Sequence, residues 1–378
     1  MDFDLTEEQR LLQSNLRRLL ADHYGFNRRA NYQAEAPGWS RAMWGRYAEL
    51  GLLGLPFAEA DGGFGGGPVE TMLVAEALGE VLALEPWLST VVLGGGLLRH
   101  GGDAALRQRM VPAIAAGEAL LAFAQAEPQS RYSLSDITTT ARRDGDGWVL
   151  EGRKSVVLHG DTADWLLVTA RCAGARHDRG GIGVFLLRGD APGVLRQGYS
   201  MVDGQRGAEI TLSAARAEAV LGEAEDGLAL VERVVDEAMA ALAAEAVGTM
   251  SALHAMTLDY LKTRKQFGAP IGSFQVLQHR ASDMMVALEQ ARSMAMYATM
   301  MLDEPAAARR AALSAVKVQI GRSARLIGQQ AVQMHGGIGI ATEYAAGHAF
   351  KRLAAIDTTF GDADHHLRAL AAEVSTAA

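Results

Sequence analysis

Cysteine is nearly absent: Cys172 is the only one among 378 residues. One thiol cannot close a disulfide within the chain, and it cannot build a structural zinc site of cysteines. No metal site is expected. Positive charge is also short, with 36 Lys and Arg against 44 Asp and Glu and a formal net charge of -8. The basic residues are scattered, so nothing favours nucleic acid or an anionic membrane as a partner. No apolar run reaches the roughly 18 residues that a membrane span requires. The N-terminal stretch MDFDLTEEQRLLQ is acidic and lacks an apolar core, which does not fit a signal peptide. These absences predict a cytoplasmic protein, with Cys172 an inert strand residue in the apolar run WLLVTARC.

What is present reads in three textures. The length predicts two or three domains. In the first third, DLTEEQRLLQSNLRRLLADHY carries leucines at helical spacing behind Thr6, a suitable N-cap. WSRAMWGRYAELG predicts a second helix. Five glycines fall in the six positions from Gly62 to Gly67. They match no phosphate loop, because G-x-x-x-x-G-K-[ST] is missing and Pro68 breaks G-x-G-x-x-G. A turn is the simpler reading. From about 120 to 222, short β runs alternate with turns, and Asp144-Gly145-Asp146-Gly147 predicts a hairpin. From about 224 the pattern is helical to the end. GLALVERVVDEAMAALAAEAVGTMSALHAMTLDYLKTR contains no proline, and two further long helices follow it. The second of these starts near Pro305, a residue suited to a first turn. Three long helices rich in Ala and Met predict a bundle, with the Met stripe as packing.

Two stretches are specific. RKQFGAPIGSFQVLQHRASDM (264–284) and QMHGGIGIATEY (333–344), with LGLLGLPFAEADGGFG and the helix–β–helix order, strongly resemble the acyl-CoA dehydrogenase family over nearly the whole chain. The resemblance implies an α+β, mainly α fold. Its parts are an N-terminal helical domain (1–118), a middle β-barrel-like domain (119–222) and a C-terminal four-helix bundle (223–378). It also implies FAD as cofactor and an acyl-CoA thioester as substrate. A base removes the α-proton while a hydride passes from the β-carbon to the flavin. The resemblance assigns Arg264, Gln266 and Phe267, followed by Gly268, to an FAD held by a neighbouring subunit. Gln333, Gly336 and Gly337 go to the same FAD. Arginine suits a pyrophosphate through its paired donors, and glycine permits close approach. Arg264 as a helix-end cation and the glycines as a C-cap are the plainer readings.

The chain's own flavin slot departs from the family pattern. In AFAQAEPQSRY, Glu127 and Pro128 match, but Ala126 replaces a threonine. In KSVVLHG, Lys154 matches, but Val156 replaces an aromatic residue and Leu158 a hydroxyl. Near the C-terminus, TTFGDADHH places Phe360 where the family's commonest catalytic glutamate stands, before Gly361. Asp362 replaces a threonine that bonds FAD, and a carboxylate beside a pyrophosphate repels it. No base is assigned. Glu237 and Glu245 lie near the alternative base position on the first bundle helix, which falls on Ala238. Asp364 and His365 lie near the usual one, although Asp362-Ala363-Asp364 also reads as the acidic start of the last helix.

The trans residues are intact while the chain's own slot and base are eroded. This pattern implies the base-less subunit of a heteromeric enzyme, most like the small subunit of a pimeloyl-CoA (dicarboxylyl-CoA) dehydrogenase. A paralogous subunit then supplies the glutamate, and an electron-transfer flavoprotein is the acceptor. The alternatives are an autonomous homotetramer with a displaced base and a non-catalytic oligomer scaffold.

Overall fold

A computed structural model describes residues 4–377, so the first three residues of the acidic N-terminal stretch lie outside it. Helices α1 (Glu7–His23), α2 (Phe26–Ala34), α3 (Arg41–Glu49), α4 (Pro68–Glu80), α5 (Gly95–Gly101) and α6 (Ala104–Ala115) come first. Strands β1 (Leu121–Ala124), β2 (Thr140–Asp144), β3 (Gly147–Leu158) and β4 (Trp165–Arg171) follow. Next come β5 (Ile182–Arg188), β6 (Val194–Ser200), β7 (Arg206–Arg216) and β8 (Ala219–Leu221). Then α7 (Leu228–Thr263), a small ribbon of β9 (Lys265–Gln266) and β10 (Ala269–Pro270), α8 (Gln275–Met301) and α9 (Ala306–His335) lead to α10 (Ala345–Thr358) and α11 (Ala363–Ala377).

Local chemistry accounts for the boundaries. Thr6 caps α1 in a reciprocal box: its hydroxyl accepts from the Gln9 N–H while the Gln9 side chain accepts from the Thr6 N–H. Ser40 caps α3 by accepting from the Met43 N–H. The predicted hairpin forms with a two-residue loop between Asp144 and Gly147, and Gly145 supplies φ 59°. Cys172 corrects its expectation slightly. It lies one residue past the end of β4, half-buried, and burial pushes its thiol up to about 11, so it stays protonated.

The fold divides into two compact units. One comprises Tyr32–Gly67 and Leu84–Ala238 and contains the whole sheet, in the order β6-β7-β3-β2-β4-β5-β8 with β1 beside β4. Pairing is mostly antiparallel, but β1 runs parallel to β4, so the sheet is mixed. Its inner face is packed with Leu150, Leu166, Val168, Phe185, Leu187 and Ile210, all fully buried. Alternating apolar residues on the strands supply that face.

The other unit comprises Met1–Asn31, Pro68–Ala83 and Met239–Ala378. In it α4 crosses α7 almost backbone to backbone. A Cβ on Gly248 would stand 1.9 Å from the Glu76 carbonyl oxygen, and one on Gly79 would stand 2.1 Å from that of Glu245. Two glycines therefore set the separation of these helices. Helices α8, α10 and α11 pack along α9. Among the described residues no helix is long and apolar enough to cross a membrane.

Candidate functional site

The sequence sets two motif remnants on either side of the β domain's edge, Gln125–Pro128 and Lys154–Leu158. The structure joins them through a pair of side chains buried to 0% exposure. Lys154 Nζ donates to Glu127 Oε1 at 2.7 Å, to the Thr169 hydroxyl at 3.1 Å and to the Gln125 carbonyl at 3.2 Å. Glu127 also accepts from the N–H groups of Thr138 and Thr139, from the Gln129 amide and from the Thr138 hydroxyl. Burial alone would raise the Glu127 carboxyl. The Lys154 charge and these donors outweigh it and hold the group well below the usual carboxylate range. Burial pushes the Lys154 ammonium down to about 8 against the opposing pull of Glu127. Both groups are ionised at neutral pH, as a buried pair must be to satisfy each other.

The neighbours of this pair face outward. Val156 is 53% exposed and adopts φ 52°, a strained conformation for a β-branched residue. The register of β3 against β7 shifts between Lys154 and Val157, and this bulge turns Val156 out. Glu209 holds the bulge: it accepts from the Ser155 hydroxyl at 2.8 Å, the Val156 N–H at 3.3 Å and the Tyr199 hydroxyl at 3.1 Å. Ser155 N–H donates to the Ala126 carbonyl at 2.8 Å, which ties the two remnants together. The retained Glu127 and Lys154 are thus framework, whereas Ala126, Val156 and Leu158 stand at the rim without a side-chain donor.

In the other unit, Phe360 occupies a turn between α10 and α11 with φ 59°, followed by Gly361 with φ 115°. Lys317 of α9, 1% exposed, grips the end of α10 by donating to the carbonyls of Ile356 (2.8 Å), Asp357 (3.0 Å) and Thr359 (2.8 Å). Burial pushes its ammonium down to about 8, with Asp357 and Asp362 opposing. His366 Nε2–H donates to the Phe360 carbonyl at 3.1 Å, and its Nδ1 accepts from the Ser314 hydroxyl at 3.2 Å. Burial and the nearby Lys317 charge lower His366 to about 4, so it is neutral. A Cβ on Gly361 would fall 2.6 Å from His366 Nε2. Asp362 accepts from the His365 N–H at 2.8 Å and so caps α11, and Asp364 is exposed on its first turn. His365 is half-buried, and burial lowers its pKa. The turn is firmly built and presents a ring.

The same unit brings the two trans segments together. Phe267 (φ 53°) and Gly268 (φ 80°) form the two-residue turn of the β9–β10 ribbon, and Phe267 is 93% exposed. Arg264 and Gln266 are exposed at its base. Tyr260, one helical turn earlier, lies 4.6 Å from the His335 ring, centroid to centroid. His335 Nδ1–H donates to the Ala331 carbonyl at 2.8 Å, and Nε2 accepts from the Tyr344 hydroxyl at 3.1 Å. This fixes the neutral ring directly before the Gly336–Gly337 turn. Gln333, Gly336 and Gly337 are all exposed. Gly336 needs glycine for its φ of 62°, but a Cβ on Gly337 would meet nothing within 4 Å. Nothing within the chain requires glycine at 337, so a close approach from outside the chain would meet no side chain there. The sequence reading missed Tyr260, His335 and Tyr344. His335 sits inside the QMHGG motif, but its two ring contacts are made only in the fold.

The two helix carboxylates are engaged. Glu237 is bound by Arg99 Nη2 at 2.7 Å, His100 Nε2 at 2.7 Å and Arg233 Nε at 2.9 Å. Burial would raise it, but the His100 hydrogen bond and the Arg99 charge bring it down to about 2. Glu245 receives Arg352 Nε at 2.6 Å and Nη2 at 2.9 Å in a two-pronged bond.

As a receptor for FAD, these residues divide. The exposed Arg264 guanidinium and the open glycine turn fit a pyrophosphate and a close-lying cofactor, whereas Ala126, Val156 and Leu158 offer no side-chain donor at the β-domain rim. Residues 6–118, 122–215 and 225–375 match, in order, the family descriptions "Acyl-CoA dehydrogenase, N-terminal domain", "middle domain" and "C-terminal domain". The chain is 30% identical over 355 residues to "Probable acyl-CoA dehydrogenase YngJ" of Bacillus subtilis, covering 91% of this chain and 92% of that protein. It is 30% identical over 311 residues to the cyclohexane-1-carbonyl-CoA dehydrogenase of Geobacter metallireducens, covering 80% and 81%. Among solved structures, the "Tcur3481-Tcur3483 steroid ACAD G363A variant" matches with a TM-score of 0.89 and 29% identity over 98% of each chain.

Proposed function

Because the chain belongs to the acyl-CoA dehydrogenase family, whose members are FAD flavoproteins that oxidise a CH–CH bond, we propose that it is the base-less subunit of a heteromeric enzyme. One observation carries this reading: Arg264, Gln266, Phe267, Gln333, Gly336 and Gly337 are all exposed, whereas Ala126, Val156 and Leu158 offer no side-chain donor at the rim suited to the chain's own FAD. Bound FAD would take up the hydride. The partner, a paralogous chain, brings the glutamate that removes the α-proton of the acyl-CoA. This chain's Arg264 pairs with the pyrophosphate, Gln266 and Gln333 bond the cofactor, and Phe267, Gly336 and Gly337 close over it. The two-protein name of the steroid enzyme supports a heteromeric arrangement. Within the family we place the chain with the small subunit of a dicarboxylyl-CoA (pimeloyl-CoA) dehydrogenase, with an electron-transfer flavoprotein as acceptor.

A displaced base is the weaker reading. Arg99, His100 and Arg233 already hold Glu237 at about 2, too low for a general base at neutral pH, and Glu245 is committed to Arg352. A pure scaffold leaves Arg264 and the glycine turn without a purpose. The visible spectrum of purified protein separates the three. The isolated chain should be colourless, and the complex should carry one FAD per pair of chains. Arg264→Ala should empty the complex of flavin. Stoichiometric flavin with turnover in the isolated chain overturns the proposal in favour of an autonomous enzyme. Flavin retention in the complex unchanged by Arg264→Ala overturns it in favour of a scaffold.

A further inference from the structure

The two exposed segments, the ribbon and the glycine turn, leave different helices. The β9–β10 ribbon follows α7 and is tied back to it. The Arg264 N–H donates to the Tyr260 carbonyl at 2.8 Å, and the Ile271 N–H closes the ribbon on the Arg264 carbonyl at 2.8 Å. The glycine turn follows α9 and folds back on its last residue. Gly339 is buried there, and a Cβ on it would stand 2.9 Å from His335 Cβ. From the other side, a Cβ on Gly347 of α10 would stand 2.9 Å from the Gly339 carbonyl oxygen. The turn is therefore pressed between His335 and α10.

One imidazole joins the two segments. His335 is 3% exposed and lies between two rings. Tyr260, at the end of α7, is 4.6 Å away at an interplanar angle of 32°, and Tyr344, at the start of α10, is 5.1 Å away at 52°. Both separations suit ring packing. Leucine or phenylalanine could fill such a place, but the imidazole is also held at both nitrogens. Nδ1–H donates to the Ala331 carbonyl and Nε2 accepts from the Tyr344 hydroxyl, which fixes the plane of the ring. The ends of α7 and α9 and the start of α10 thus meet on one side chain whose orientation is set.

We propose that His335, seated between Tyr260 and Tyr344, is a positioning residue that fixes the Arg264 ribbon relative to the Gly336–Gly337 turn, so that one FAD meets both segments at once. The inference rests on the proposed function and deepens it. Segments held in place beforehand need no ordering when the cofactor binds, and ordering is a main cost of binding. A functional group also needs a supporting layer of packed and hydrogen-bonded residues to stay in its productive geometry.

Two measurements test this. The first needs neither flavin nor partner: amide hydrogen exchange of the full chain. Tyr260→Leu alters the ribbon side and should speed exchange of the Gly336 and Ala341 amides in and after the turn about fivefold. Tyr344→Phe removes one hydroxyl on the turn side and should speed exchange of the Arg264 and Ile271 amides similarly, as a local opening shared by both segments requires. The second is the dissociation constant of FAD from the complex. Tyr260→Leu and Tyr344→Phe should each weaken it by about tenfold. Tyr260→Phe keeps the ring and should rescue both readouts. Tyr344→Phe is mild enough to decide the matter if Tyr260→Leu fails to fold. Faster exchange confined to the altered side overturns the inference. So does unchanged FAD affinity in both variants while Arg264→Ala empties the complex of flavin, and that result leaves the proposed function standing. If Arg264→Ala itself changes nothing, the proposed function falls, and with it the role of His335 toward FAD, whatever the exchange shows.

Discussion

Lys154 and Glu127 show how one residue's reason can lie in another far along the chain. Both were legible in the sequence as surviving motif positions, but their pairing was not, because 27 residues separate them. Removing one partner of a fully buried pair strands the other charge. Lys154→Met should therefore cost about 3–5 kcal/mol in urea unfolding. The pair also sets an acid limb. Glu127 has a folded pKa below its ordinary 4.5, so its contribution is complete above 4.5 and is lost as pH falls below that value toward the folded one. Stability of the wild-type chain should drop through this window. In Lys154→Met the carboxyl loses its counter-charge and burial raises it, so this part of the acid limb should vanish or reverse. Glu209 gave no sequence signal at all: it lies 53 residues beyond the Val156 N–H that it holds.

Elements with a local cause were readable. The Thr6 box, the Asp144–Gly147 hairpin and the long proline-free helices follow from chemistry within a few residues. The α4–α7 crossing was not readable, because a helical glycine looks the same whether it meets solvent or a carbonyl. Gly248→Ala puts a methyl group 1.9 Å from the Glu76 carbonyl oxygen, and backbone cannot yield as a flexible side chain can. Thermal unfolding should show a loss of about 1–3 kcal/mol, the range for overpacking. Gly337→Ala meets open space and should leave unfolding unchanged while reducing flavin content of the complex. That split, stability kept and cofactor lost, is what an outward-serving glycine requires.

At the scale of the molecule, the stretches 264–284 and 333–344, together with the order of helical, β and helical segments, identified the family, and the three matched segments bear this out. The division of labour proposed above rests, in the sequence, on a list of substitutions, since sequence does not show which side chains face out. Phe360 poses that question directly. Its turn is clamped by Lys317 and His366, so Phe360→Glu enters a built loop rather than a collapsed one. The rim still lacks donors at Ala126, Val156 and Leu158. The substitution should restore no turnover when the partner's glutamate is itself replaced by glutamine, measured by dye reduction with acyl-CoA. Recovery of turnover would show that this chain's own slot can still hold FAD.

The Lys154–Glu127 pair has a consequence for how such chains decay. An ion pair sealed in the interior cannot be dismantled one residue at a time, because each single loss leaves a naked charge. The rim residues around it can drift freely once nothing binds there. Ligand contacts therefore disappear first, and the letters that make the motif recognisable persist longest. In this protein, the two positions that best advertise a flavin site report least on whether one is there.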